Sequence, residues 1–164
     1  MSKGREAFKH IVANLDYPMF VLTTAVADQR SGCLVGFASQ CSIDPPRFFV
    51  WVSKKNHTFA LADKAPVFVV HALRETDCHL ARLFGETTGD KIDKFEHCDW
   101  EEGPNGVPVL TACDWFAGTV IDRNNSGDHV GYLLDLLDAG RADHAKEPQL
   151  GFQAVRDLKP GHES

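Results

Sequence analysis

Residues 36–53 constrain the fold more than any other part of this chain. Residues 36–42 are mostly small or hydroxyl-bearing, the triplet Asp44-Pro45-Pro46 follows, and residues 48–53 are almost all apolar. Proline fixes φ and has no backbone N–H, so this triplet should turn the chain sharply before a buried strand. Small side chains ahead of the turn let a flat ligand approach the backbone closely. The segment therefore predicts two strands joined by a tight turn, with a cradle for an aromatic cofactor on the first.

Length and charge narrow the class of protein. A chain of 164 residues with 43% hydrophobic content is long enough for one buried core and short for two, so we expect one domain over residues 1–164. The net charge of −6 comes from acidic and basic side chains mixed along the chain. It argues against the basic face that a nucleic acid or an anionic membrane would require.

No uncharged run approaches the ~20 apolar residues of a membrane-spanning helix. The N-terminal residues are charged and lack the apolar core of a signal peptide. We therefore expect a cytoplasmic protein with no nucleic-acid partner and no membrane partner.

The cysteines fit neither a disulfide framework nor a metal motif. They include no C-x-x-C pair, and an odd number in a chain of this size predicts reduced thiols. Cys78-His79 and His97-Cys98 could in principle supply two thiolates and two imidazoles to zinc. Neighbouring residues point to different sides of a strand or helix, however, so we predict no metal site. The five cysteines are Cys33, Cys41, Cys78, Cys98 and Cys113.

Hydrophobic periodicity predicts a mainly β protein with peripheral helices. Phe8, Ile11, Val12 and Leu15 indicate an amphipathic N-terminal helix. The predicted strands cover residues 19–27, 33–41, 47–53, 67–72, 113–122, 129–139 and 150–155. Residues 28–32 should form the turn of the first hairpin. The spacing of these strands favours an antiparallel barrel.

Two further helices and one long excursion connect these strands. Asn56 is a good N-cap for a short helix through Ala62. A helix capped by Thr76 or Asp77 should stop at Gly85. Residues 85–108 are polar and carry several glycines. They predict a functional loop or a cover over a site.

Residues 53–58 form a strand-to-helix junction that could hold a phosphate. Ser53, Asn56 and Thr58 supply short polar groups, and Lys54 and Lys55 supply ammonium groups. Unpaired N–H groups at a helix start also attract anions. An ordinary N-cap with solvated lysines is the alternative interpretation.

The loop that carries Lys91 and Lys94 could reach the same phosphate. It does not match the G-x-x-x-x-G-K-[ST] pattern of a P-loop, and the chain has no G-x-G-x-x-G, so a nicotinamide cofactor would bind without a Rossmann domain. Gly127-Asp128-His129 opens another apolar strand, and a hairpin turn with an exposed histidine is its alternative interpretation. No G-x-S-x-G or H-E-x-x-H motif indicates a nucleophile or a metalloprotease.

In chain order, these features resemble the flavin reductase-like family of FMN-binding split barrels. The matching features are the Ser39 to Pro46 strand and turn, the polar stretch up to Thr58, a helix ending in Phe84, Asp93-Lys94-Phe95, and Gly127-Asp128-His129. They extend from about residue 19 to residue 139. The chain departs from the family pattern at residues 36–38, which are less polar than usual, and at Gln40, where serine is common.

The resemblance implies a fold and a set of site residues. The fold is an antiparallel split β-barrel of the FMN-binding type, with the flavin site at the two-fold interface of a homodimer. Ser39, Gln40, Cys41 and Ser42 would face the isoalloxazine. Ser53, Lys54, Asn56 and Thr58 would serve the ribityl phosphate, and His129 would lie near the nicotinamide.

The implied activity is that of an FMN-dependent NAD(P)H:flavin oxidoreductase. FMN, or FAD as the alternative flavin, would be the cofactor, and NAD(P)H the co-substrate. The competing class is a non-enzymatic FMN-binding electron-transfer protein that receives electrons from a redox protein partner. A weaker alternative is a pyridoxamine-oxidase-like or deazaflavin-binding barrel.

Overall fold

A seven-stranded antiparallel sheet forms the body of the protein. The computed structural model describes residues 2–86, 92–142 and 147–158. Strand order in the sheet is β2-β1-β5-β8-β9-β4-β3, and a separate hairpin pairs β6 with β7. The strands are β1 (Phe20–Val26), β2 (Gln29–Val35), β3 (Ala38–Ser42), β4 (Arg47–Ser53), β5 (Val67–Ala72), β6 (Trp100–Glu102), β7 (Pro108–Leu110), β8 (Asp114–Asn125) and β9 (His129–Gly140).

Three α-helices lie around this sheet in the described residues: α1 (Lys3–Ala13), α2 (His57–Ala62) and α3 (Cys78–Glu86). This is the predicted mainly β, antiparallel architecture with peripheral helices. Within the described ranges, no helix is long and apolar enough to cross a membrane.

The burial patterns of the strands explain how the sheet encloses its core. Val130, Tyr132 and Leu134 of β9 alternate into the interior, as expected for a strand with one buried face. β1 and β5, by contrast, are buried along nearly their whole length. The inner faces of these strands belong to the cluster inside the barrel. Their outer faces pack against two other apolar clusters, which include residues of α3 and of β7. Part of the 85–108 excursion therefore covers the barrel.

Several predicted elements are confirmed. The strands predicted at residues 47–53 and 67–72 match β4 and β5 residue for residue. Asn56 caps α2, because its side-chain oxygen accepts the Thr58 N–H at 2.9 Å. These elements were predictable because apolar runs and an N-cap residue are local signals.

The strand predicted at residues 33–41 is wrong. The chain leaves β2 at Val35 and starts β3 at Ala38, and these two strands lie at opposite ends of the strand order. Gly36 and Phe37 therefore carry the chain from one sheet edge to the other. The observed turn of the first hairpin is also shorter than the predicted residues 28–32. β2 already begins at Gln29, and Ala27 in the turn adopts a φ of 53°.

Residues 150–155 do not form the predicted strand. Leu150 is fully buried, and its backbone forms hydrogen bonds with the backbones of Met19 and Leu73. After it, Gly151 forms an isolated β-bridge with Pro18, and a 3-10 turn follows. Residues 85–108, predicted as a functional loop or a cover over a site, also contain β6 and the start of β7. Gly85 does not stop α3, which continues to Glu86.

Candidate functional site

A polar cavity lies where the start of β2 faces α2 and residues 92–95. Its volume is about 490 Å³. Four of its lining side chains can carry positive charge, and two, Asp28 and Asp93, are acidic. The four are Arg30, His57, Lys64 and Lys94. We call this space the cationic cavity, and its cations stand out in a chain with a net charge of −6.

Arg30 is held in place on the wall of the cationic cavity. Its guanidinium lies 3.2 Å from the Asp93 carboxylate. The same group lies 4.7 Å from the centre of the Trp100 ring and 5.7 Å from that of Phe95. Cation–π contacts of this length are attractive. The fixed guanidinium therefore links β2 to residues 93–100.

Lys94 is buried beside the same cavity. It is 6% exposed, and its ammonium donates to the backbone oxygens of Gly32 and Phe84, both at 3.1 Å. Burial lowers the pKa of Lys94, and the neighbouring Cys33 opposes this shift. Burial also raises the pKa of the Cys33 thiol to about 11. Lys94 thus joins α3 to β2 through their backbones.

The short polar side chains of the 53–58 junction bond mainly to their own segment. The Ser53 hydroxyl accepts the Lys55 N–H at 3.3 Å, and Asn56 accepts the Thr58 N–H. The Thr58 hydroxyl is buried, 2.8 Å from the hydroxyl of Ser31. Within this junction, His57 is the residue that lines the cationic cavity.

His129 lies near the beginning of the same junction. It pairs with Ser53 across β4 and β9, and the Lys54 N–H donates to the Asp128 carbonyl at 3.0 Å. The imidazole Nδ1 lies 2.8 Å from the Asp128 carboxylate, and this hydrogen bond lowers the pKa of Asp128. The imidazole ring also lies 5.0 Å from the ring of Phe37. The structure thus brings Ser53, Lys54 and His129 together.

The residues predicted to face the isoalloxazine lie on β3, an edge strand of the sheet. Ser39, Gln40 and Cys41 are exposed, and Ser42 is half-buried. Gln40 pairs with Phe48, which precedes Ser53 by five residues along β4, roughly 16 Å at ~3.3 Å per residue. The β3 residues and the junction therefore occupy different ends of β4. Lys91, the remaining predicted residue, lies outside the described residues.

In the part of the chain that the structure describes, no group of three or more His, Cys, Asp or Glu side chains is placed to hold a metal ion. All five cysteines are free thiols. His79, His97 and Cys98 do line one separate cavity of about 360 Å³. The dipeptides Cys78-His79 and His97-Cys98 therefore contribute three of their four residues to one region.

Sequence reasoning missed Arg30, Lys64 and Phe37 as neighbours of these sites. Arg30 lies in the predicted turn of the first hairpin, and Lys64 follows the predicted helix. Both reach the cationic cavity only through tertiary contacts between β2, α2 and residues 92–95. A sequence pattern offers no signal for such a convergence.

Comparison with known proteins identifies the family. The model of a protein family described as "Flavin reductase like domain" matches residues 12–159 of this chain. The chain belongs to this family, and the predicted recognition is confirmed. A solved flavin reductase domain protein from Arthrobacter superimposes with a TM-score of 0.79 at 19% identity, covering 87% of this chain and 88% of that one. This likeness confirms the predicted split-barrel fold.

Two curated relatives differ in name and length. The high molecular weight rubredoxin of Moorella thermoacetica is 29% identical over 128 residues, which cover 76% of this chain and 56% of that protein. The ferric-chelate reductase (NAD(P)H) of Archaeoglobus fulgidus is 23% identical over 76% of each chain. The aligned region thus spans little more than half of the first relative. The prediction of a flavin reductase agrees with the family to which the chain belongs.

Proposed function

We propose that this protein is an FMN-dependent NAD(P)H:flavin oxidoreductase whose cationic cavity receives the flavin phosphate. The supporting observation is the convergence of Arg30, His57, Lys64 and Lys94 around one space of about 490 Å³. A phosphate is favoured where charge-assisted hydrogen bonds are available, and the protein's overall charge would otherwise repel it. FAD is the alternative flavin.

The residues present fit a flavin in two ways. The cavity supplies cations for a phosphate, and the β3 edge supplies Ser39, Gln40, Cys41 and Ser42 as hydrogen-bonding groups for a ring. When bound, the flavin would accept a hydride from NAD(P)H and pass two electrons onward. His129 is then proposed to contact the nicotinamide, with Asp128 orienting its imidazole through the 2.8 Å contact to Nδ1.

An electron-transfer protein is the second candidate. It is favoured by the 29% identity to a protein named high molecular weight rubredoxin, of which the aligned region covers 56%. In this alternative FMN would receive electrons from a redox protein partner, and His129 would have no nicotinamide to contact. A pyridoxamine-oxidase-like or deazaflavin-binding barrel remains the weaker alternative.

We also propose that residues 1–164 act as one domain that forms a homodimer in the cytoplasm. No residue of α1 is buried, and Phe8 and Ile11 are 65% and 59% exposed. Apolar side chains at this exposure gain free energy when a partner covers them. A two-fold dimer would cover the same face in both protomers.

Anaerobic titration of the FMN-loaded protein with NADH and then NADPH tests the proposed function. Rapid bleaching of the flavin absorbance by either nucleotide is the expected result. His129→Ala should lower kcat/KM for the nucleotide and leave FMN affinity unchanged, because it removes a contact to that substrate only. A bound flavin that neither nucleotide reduces would favour the electron-transfer protein.

A further inference from the structure

A row of four rings ends at His129. The ring centroids are 6.0 Å apart from Phe152 to Tyr17, 5.7 Å from Tyr17 to Phe37 and 5.0 Å from Phe37 to His129. The first two contacts are edge to face, an arrangement that aromatic pairs prefer, and the last is tilted by 48°. We call these four residues the aromatic row. Its members lie far apart in the sequence, so only the folded chain brings them together.

Phe37, the member of the aromatic row that lies against His129, is fixed in position. The Trp51 N–H donates to the Phe37 carbonyl at 2.9 Å, and Trp51 pairs with Gly131 on β9, two residues beyond His129. The Tyr17 ring contacts the Phe37 ring as well. Phe37 is nevertheless 49% exposed. Its ring therefore lies at the surface beside His129, outside the apolar core.

The Asp128 contact alone is a weak restraint on the His129 imidazole. The hydrogen bond to Nδ1 is 2.8 Å long, but the Asp128 side chain is 96% exposed and that of His129 is 30% exposed. Exposed pairs of this kind contribute little, because water competes for both partners. The Phe37 ring adds a packing contact for which water does not compete. In the part of the chain that the structure describes, Nε2 makes no hydrogen bond, so these two contacts leave it for a ligand.

From these contacts we propose that Phe37 is the positioning residue of the nicotinamide contact. Its ring holds the His129 imidazole in the orientation in which Nδ1 meets Asp128 and Nε2 is left for the substrate. The inference rests on the proposed function, in which His129 contacts the nicotinamide, and it adds a residue that acts through His129. It also gives a role to one of residues 36–38, where the chain departs from the family pattern.

Nitrogen NMR of the flavin-free protein tests the positioning without any catalysis. At alkaline pH, where imidazoles are neutral, the His129 ring of the wild type should carry its proton on Nδ1, because the Asp128 carboxylate accepts from this nitrogen. Phe37→Ala should shift the population toward the form protonated on Nε2, which a free neutral imidazole side chain prefers. Phe37→Tyr keeps the ring and should match the wild type. An unchanged tautomer in Phe37→Ala would overturn the proposal.

Steady-state kinetics of the FMN-loaded protein give a second readout, with the nucleotide that reduces the wild type as substrate. Phe37→Ala should raise KM about fivefold, the scale of one lost hydrogen bond, and leave kcat and FMN affinity unchanged. Phe37→Tyr should restore the wild-type KM. Phe152→Ala, which removes the ring at the far end of the aromatic row, is the matched control and should change KM less than about twofold. Equal effects of Phe37→Ala and Phe152→Ala would contradict a specific role of Phe37.

A double variant shows whether Phe37 acts through His129. In the His129→Ala background, Phe37→Ala should cause no further rise in KM, because the group that Phe37 positions is gone. The same rise with and without His129 would overturn the positioning role while leaving the proposed function intact. A wild-type flavin that neither nucleotide reduces would overturn the proposed function, and this inference with it.

Discussion

At the scale of single residues, His71 makes a pH-sensitive contact in the interior of the fold. It has no exposed surface, its Nδ1 bonds the Val21 carbonyl at 2.9 Å, and its Nε2 accepts the Leu110 N–H at 2.9 Å. The ring therefore ties β5 to β1 and to the β6–β7 hairpin. Burial lowers the pKa of His71 to about 4. Protonation of Nε2 would also remove the hydrogen-bond acceptor of the Leu110 N–H.

We predict that stability falls as the pH drops from about 6.5 to about 4. The unfolded state, with a histidine pKa of ~6.5, binds a proton in this window and the folded state does not, so acid favours unfolding. The loss attributable to His71 is about 3 kcal/mol, which urea denaturation at several pH values measures. His71→Phe should be less stable at pH 7 and lose most of this slope. An equally steep slope in the variant would assign the effect to other groups.

Gly131 supports the packing of two aromatic rings on β4. A Cβ at this position would clash with the Phe49 ring and lie 2.6 Å from the Trp51 ring; the two rings stack with centroids 5.1 Å apart. Gly131→Ala should therefore lower the free energy of unfolding by about 1–3 kcal/mol. Gly127→Ala is the matched control, because no atom lies within 4 Å of its added Cβ. Equal urea midpoints for the two variants would disprove the close packing.

At the scale of elements, α1 and α2 differ in how they attach to the barrel. The end of α2 is tied to it, because the Asp63 carboxylate accepts the Tyr132 hydroxyl at 2.9 Å and the Arg123 guanidinium at 2.6 Å. α1 has no buried residue, and Gln153 bonds the backbone of residues 13 and 15 just at its end. Propensity and periodicity predicted both helices equally well. Only tertiary contacts reveal that the apolar stripe of α1 is uncovered.

We predict that α1 supplies part of a dimer interface. Replacing Phe8 and Ile11 together by Ser should convert a dimer to a monomer, because these side chains are the exposed apolar groups of the helix. Size-exclusion chromatography with light scattering measures the change. Glu6→Ser with Lys9→Ser, at exposed charged positions of α1, is the control and should remain dimeric. A monomeric wild-type protein would exclude the interface.

At the scale of the whole molecule, sequence patterns predicted the fold class but carried no signal for the cationic cavity. The β4 and β5 strands follow from local apolar runs, and the family resemblance supplied the barrel. The cationic cavity could not be predicted, because Arg30 and Lys64 belong to segments that meet only in the folded chain. The split between β2 and β3 was missed for the same reason, since strand order determines it.

A comparison of FMN with riboflavin shows whether the cationic cavity holds the flavin phosphate. Riboflavin has the same ring and ribityl chain but no phosphate. In wild type, FMN should bind more tightly. His57→Gln with Lys64→Gln should weaken FMN binding by about 2 kcal/mol, the scale of charge-assisted hydrogen bonds, and leave riboflavin binding unchanged.

Lys9→Gln, on α1 and away from the cavity, is the charge control and should change neither affinity. Equilibrium fluorescence titration of each flavin against the three proteins gives the affinities. The preference for FMN over riboflavin should shrink only in the cavity variant. An unchanged preference in that variant would place the phosphate outside the cationic cavity.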